Sequence, residues 1–188
     1  LRADAPLKAQ MTGGNQERKR RAGTFNSIGA LGWQYALENW KQLGDAYRAR
    51  MFEMREFIRR EISKIEGLVV HGNWDNVSEL QLCNTLNFHV DGCPEESLLL
   101  AMDLAGFELS SGSACNSGSL KPSRVLLAMG YSEAVALSSL RVSLGIENTP
   151  SQLENFVDVL AKKIQHIRTS REESKRLLPH LDTEMGAT

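Results

Sequence analysis

Two stretches decide the fold class: Asn84-Thr85-Leu86-Asn87-Phe88-His89-Val90 and Ser139-Leu140-Arg141-Val142-Ser143-Leu144. In the first, Leu86, Phe88 and Val90 alternate with polar neighbours, and in the second Leu140, Val142 and Leu144 do the same. A period of two places every apolar side chain on one face, so each stretch predicts a half-buried strand. Working outward, Leu68-Val69-Val70 and Phe107-Glu108-Leu109 read as further short strands. Helical signals lie between them. Pro94 with Glu95 and Glu96 opens a helix, because proline fits the first turn and carboxylates favour the positive end of the helix dipole, and Gly106 closes it. Pro122 to Gly130 reads as a short helix. Thr149-Pro150-Ser151-Gln152 supplies an N-cap, a proline at the first helical position and a capping-box glutamine. The helix it starts carries Leu153, Phe156, Val157, Leu160, Ile164 and Ile167 on one face. Short strands and helices in mixed order predict an α+β domain, a small antiparallel sheet with helices on one face.

Upstream of this domain, Leu31, Tyr35, Leu43, Tyr47, Met51, Met54, Ile58, Ile62 and Ile65 recur mostly at three- and four-residue steps, the stripe of a long helix. Asn26 reads as its N-cap and Gly67 as its stop. Gly44 costs about 1 kcal/mol relative to alanine inside a helix and marks a kink or break. Residues 1–25 show neither period and read as an extended loop. After Thr169 the sequence turns charged, which predicts a tail or a loosely docked helix over 169–188. The expected organisation is therefore 1–66, a small domain over 67–168, and the tail.

The chain has 188 residues, with 22 Lys+Arg against 23 Asp+Glu and a formal charge of −1. No whole-chain field would hold it on nucleic acid or an anionic membrane, so neither is expected as a partner. It begins without an initiator Met and with no basic-then-apolar leader, which predicts a cytoplasmic piece of a longer chain. Cys83, Cys93 and Cys115 are odd in number and never spaced C-x-x-C, against both a disulfide framework and a standard zinc site.

Cys115 is the most informative residue. Ser110-Ser111-Gly112-Ser113-Ala114-Cys115-Asn116-Ser117-Gly118-Ser119 has almost nothing to bury, so the thiol is expected on a mobile, accessible loop. Cys83 and Cys93, flanking a strand, read as structural. His71, His89, His166 and His180 are scattered and predict no metal site. Arg141 reads equally well as a solvated sheet-face charge or as a fork for a carboxylate, which arginine matches bidentately. The Arg18-Lys19-Arg20-Arg21 cluster with Gly23-Thr24 has what phosphate binding requires: a glycine turn, a hydroxyl and nearby cations.

Together these segments resemble one family. Leu109-Ser110-Ser111-Gly112-Ser113-Ala114-Cys115 with Ser119-Leu120-Lys121-Pro122-Ser123 resembles the active-site loop of cysteine desulfurases of the nitrogen-fixation and iron-sulfur-cluster type. Gly13-Gly14-Asn15-Gln16-Glu17 with Arg21-Ala22-Gly23-Thr24 resembles their glycine-rich segment and R-[SA]-G-T motif, and Ser138 to Gly145 resembles their S-S-[IL]-R-x-S-L-G strand. The resemblance covers residues 6 to 168 and implies the C-terminal half of a pyridoxal-phosphate enzyme of the aspartate-aminotransferase fold. It further implies that residues 1–66 end the cofactor-binding large domain and form a long connecting helix. Such an enzyme takes sulfur from L-cysteine, leaving alanine and a persulfide.

Carried over, Cys115 would accept the sulfur, Arg141 would hold the substrate carboxylate, and Thr24 would touch the cofactor phosphate across a homodimer interface. The implied partners are the N-terminal half of the enzyme, a second copy, and an iron-sulfur scaffold or other sulfur acceptor protein. Members of that family are about twice as long, in keeping with two-domain enzymes. Their pyridoxal-binding lysine follows a histidine in a segment preceding the part matched, and this sequence holds no His-Lys pair. The resemblance thus implies an incomplete catalyst, inactive without the lysine-bearing half. The alternative is a stand-alone persulfide carrier or scaffold-docking domain, which needs neither a carboxylate fork nor a phosphate contact.

Overall fold

The computed structural model describes residues 8–74, 81–111 and 121–177. The chain divides into two compact units, Leu1–Gly44 and Asp45–Thr188, whereas the sequence pattern sets its boundary after residue 66. The division falls at Gly44 because helix α2 (Ser27–Ile62) breaks there, at φ 35° and ψ −130°. A conformation with positive φ is open to glycine at little cost.

In the first unit a single turn, α1 (Gln16–Lys19), has left-handed backbone at Glu17, Arg18 and Lys19, within the stretch read as a loop. Asn26 caps α2 as expected, its Oδ1 accepting from Gly29 N–H at 2.9 Å. The apolar stripe that follows is exposed in this unit: Ile28 is 86% exposed and Leu31 65%. Trp33, Tyr35 and Trp40 are exposed as well.

The second unit is built on a four-stranded antiparallel sheet in the order β1-β2-β4-β3. Its strands are β1 (Leu68–Val70), β2 (Thr85–Val90), β3 (Ser110–Ser111) and β4 (Ser139–Ser143). Alternation sorts the faces as predicted. Leu86, Phe88, Val90, Leu140, Val142 and Leu144 are buried. They join one core with Met51, Met54, Ile58 and Ile62 of α2, with Leu98 and Met102 of α3 (Glu95–Asp103), and with Leu153, Phe156, Leu160 and Ile164 of α6 (Pro150–Leu177). Two short helices, α4 (Arg124–Ala128) and α5 (Glu133–Leu137), precede β4, and each is capped by a serine, Ser123 and Ser132. The sequence pattern predicts the first of these and not the second.

Phe107–Leu109 is not a strand. Gly106, at φ 84°, donates to Asp103 O and Phe107 N–H donates to Met102 O, the paired bonds that terminate a helix on a left-handed glycine. Phe107 and Leu109 pack against the core instead, and pairing with β4 begins only at Ser110, opposite Arg141. Of the two readings of the charged C-terminal stretch, a helix holds as far as Leu177, where α6 ends. Its charged turn is docked, because Arg168 donates to Glu66 O and Asp91 O, both at 2.9 Å, and Arg171 donates to Gly92 O at 2.9 Å. Gly67 (φ 69°) leaves room for this, since a Cβ there would stand 2.7 Å from the Arg168 guanidinium.

Candidate functional site

The sheet face opposite the core is polar, because it carries the other phase of the alternation. His71 follows β1 and donates its backbone N–H to Asn87 O at 2.8 Å, extending the ladder by one residue. Asn87 is the register partner of Arg141. His71, Asn87 and Arg141 therefore form one row across three strands, and all three line a cavity of 530 Å³. Ser111, Ser123 and Leu126 contribute to the same lining, so the edge strand β3 and helix α4 supply its other walls.

Arg141 is exposed, and among the described residues no carboxylate pairs with it. An unpaired guanidinium on a polar floor is a site for an anion, and its planar fork matches a carboxylate. The far wall is different in kind. Arg55 is 1% exposed, donates to Leu82 O, and lies against the rings of Phe52 and Trp74 at 4.9 and 5.3 Å. That arginine is structural, joining α2 to the segment before β2.

His71 and His89, scattered in sequence, meet in space. His71 Nε2 lies 2.7 Å from His89 Nδ1, while His71 Nδ1 lies 2.6 Å from Asn87 Oδ1. The Tyr131 ring covers His71 at 4.4 Å between centroids. Burial pushes the His71 imidazole below its ordinary pKa, the positive charge of a protonated His89 acts in the same direction, and the bond to Asn87 opposes both. The signal for this pair was available only through register, since β1 and β2 had to be aligned before residues 71 and 89 became neighbours.

Glu95, in the first turn of α3, is 7% exposed. Burial pushes its carboxyl up, with the Glu96 charge adding to that and a Ser111 hydrogen bond opposing it. Cys93 is buried and Cys83 half-buried against the core, and burial raises the Cys93 thiol. Cys115 lies outside the described residues. Thr24 belongs to the first unit, where it is exposed and its carbonyl accepts from Arg21 Nη1 at 2.6 Å beside Gly23 at φ 94°. A hydroxyl, a glycine turn and a held guanidinium suit a phosphate in their chemistry.

Similar proteins point the same way. Residues 5–156 match the family model described as aminotransferase class-V. The chain is similar to cysteine desulfurase IscS of Dictyoglomus turgidum, 36% identical over 90% of this chain and 42% of that protein. It is equally similar, at 36%, to a cysteine desulfurase of Gluconacetobacter diazotrophicus, over 89% of this chain and 41% of the other. Among solved structures, the NifS-like protein of Rickettsia africae superposes with a TM-score of 0.68 at 26% identity, covering 83% of this chain and 39% of its own. The chain thus spans about two fifths of the length of these relatives. With a family model matched across most of its length, and with relatives that bear the name cysteine desulfurase, this chain belongs to the class-V aminotransferase family.

Proposed function

We propose that this chain is the C-terminal portion of a cytoplasmic, homodimeric cysteine desulfurase, which removes sulfur from L-cysteine as a persulfide on Cys115 for iron-sulfur cluster assembly or another acceptor. The observation that carries this is Arg141, without a carboxylate partner among the described residues and set in a polar row on the floor of a cavity whose wall includes Ser111. Cys115 follows Ser111 by four residues, so chain length alone keeps their Cα atoms within about 14 Å. A stand-alone persulfide carrier has no use for such a fork.

In this reading Arg141 orients L-cysteine through its carboxylate. The Cys115 thiolate attacks the substrate sulfur: the S–S bond forms, the substrate C–S bond breaks, and its electron pair stays on carbon, which takes a proton to give alanine. Thr24 and the Gly23 turn would hold the phosphate of pyridoxal phosphate from a second copy. That cofactor, when bound, supplies the electron sink the C–S cleavage needs. Its lysine would come from the part of the enzyme outside this chain.

The test is Arg141→Lys and Arg141→Ala in the complete enzyme. Loss of two charge-assisted hydrogen bonds is expected to raise KM for L-cysteine by about tenfold to a hundredfold, with lysine recovering little because it offers no fork. An unchanged KM in both variants would remove Arg141 from substrate binding.

A further inference from the structure

Asn87 is half-buried, lines the cavity beside Arg141, and has its amide oxygen engaged by His71 Nδ1 at 2.6 Å. The direction of the surrounding hydrogen bonds follows from that one contact. An amide oxygen only accepts, so His71 carries its proton on Nδ1 and donates. His71 is 5% exposed and burial favours its neutral form, which leaves Nε2 without a proton. Nε2 therefore accepts from His89 Nδ1, 2.7 Å away. Both donations run toward Asn87, and they leave its NH2 group as the free end of the chain, without a partner among the described residues. A neutral donor of two protons then stands in the same cross-strand row as a guanidinium with no carboxylate partner among the described residues.

We infer that Asn87 is a second carboxylate-binding group of this cavity, its side-chain NH2 acting beside the Arg141 guanidinium, and that His71 is the positioning residue that turns the amide that way. The inference rests on the proposed reading of Arg141 as the carboxylate fork, and it adds to that site Asn87 of β2 and His71, which follows β1. A carboxylate has two oxygens and several lone pairs to satisfy. One guanidinium in a cavity of this size leaves part of that capacity to water, which a fixed amide donor would replace.

The experiment is a titration of the uniformly nitrogen-15-labelled 188-residue chain with L-alanine, followed through the Asn87 side-chain NH2 and the Arg141 Nε–H resonances. Both are expected to move with a single dissociation constant. Asn87→Ala is expected to weaken L-alanine binding about tenfold, the scale of one hydrogen bond to a charged group. His71→Phe keeps a ring against Tyr131 but removes the donor, and is expected to weaken binding to a similar extent. His71→Asn places an N–H near the Nδ1 position and is expected to bind within about twofold of the parent, a rescue that a merely structural role for His71 would not produce. If Arg141→Ala abolishes binding while Asn87→Ala and His71→Phe bind like the parent, Asn87 and His71 leave the site and the fork remains. If the parent shows no shift at Arg141, or Arg141→Ala binds as tightly as the parent, the fork itself is wrong and the inference falls with it.

Discussion

Arg141 and Glu95 show how far a single charged residue can be read from its neighbours. Arg141 stands in the polar phase of an alternating strand, so its exposure on the face away from the core was legible in the sequence. Its company was not: Asn87 lies 54 positions away, and only the register of β2 on β4 makes them neighbours. Glu95 sits where first-turn carboxylates favour the helix dipole, yet its side chain turns inward and one oxygen is buried without a partner among the described residues. Because burial raises its pKa, the folded state binds the Glu95 proton more tightly than the unfolded chain does. Stability contributed by the protonated form is present at low pH and is lost as pH rises above the ordinary carboxylate range. Glu95→Gln is therefore expected to raise the thermal midpoint at pH 7 and to leave it unchanged near pH 4. A lower midpoint at pH 7 would show that the ionised carboxylate is needed where it stands.

Elements whose ends carry their own chemistry were the most legible. Thr149-Pro150-Ser151-Gln152 closes as a capping box, with Thr149 N–H donating to Gln152 Oε1 at 2.9 Å and Gln152 N–H to Thr149 Oγ1 at 3.4 Å. Thr149→Ala is expected to cost about 1 kcal/mol in urea unfolding, and a change of less than a few tenths would mean that the hydroxyl does no capping. Where ends depend on distant partners, sequence patterns fail. Phe107 and Leu109 alternate like a strand, but the cap of α3 claims Phe107 and the core claims both side chains. The charged stretch after Thr169 reads as either a tail or a docked helix, and what decides is that Arg168 and Arg171, on either side of its start, find backbone carbonyls around Gly67 and Gly92. Arg168→Ala is expected to speed amide exchange over 169–177 by about tenfold or more while residues 153–164 stay protected, since one or two bonds of this kind are worth that much. Uniform protection along α6 would contradict the docking.

At the scale of the whole molecule, two facts belong together. The chain spans about two fifths of the length of the relatives it matches, and the helix before Gly44 exposes Ile28, Leu31, Trp33, Tyr35 and Trp40. A contiguous set of large apolar side chains on one short helical stretch is a surface that association covers. The division at Gly44 could not be placed from periodicity alone, because Leu31 to Ile62 carries one stripe through it, and the positive φ of that glycine is what interrupts the helix there. In the proposed function, sulfur acceptance by this chain rests on Cys115. The most direct measurement is peptide mass spectrometry of the complete enzyme after a single turnover with L-cysteine, with alanine quantified in the same sample. The expected result is one added sulfur on the peptide carrying Cys115, in proportion to the alanine formed, and none in Cys115→Ser. Alanine formed at the wild-type rate by Cys115→Ser, with the sulfur found on another residue, would contradict it.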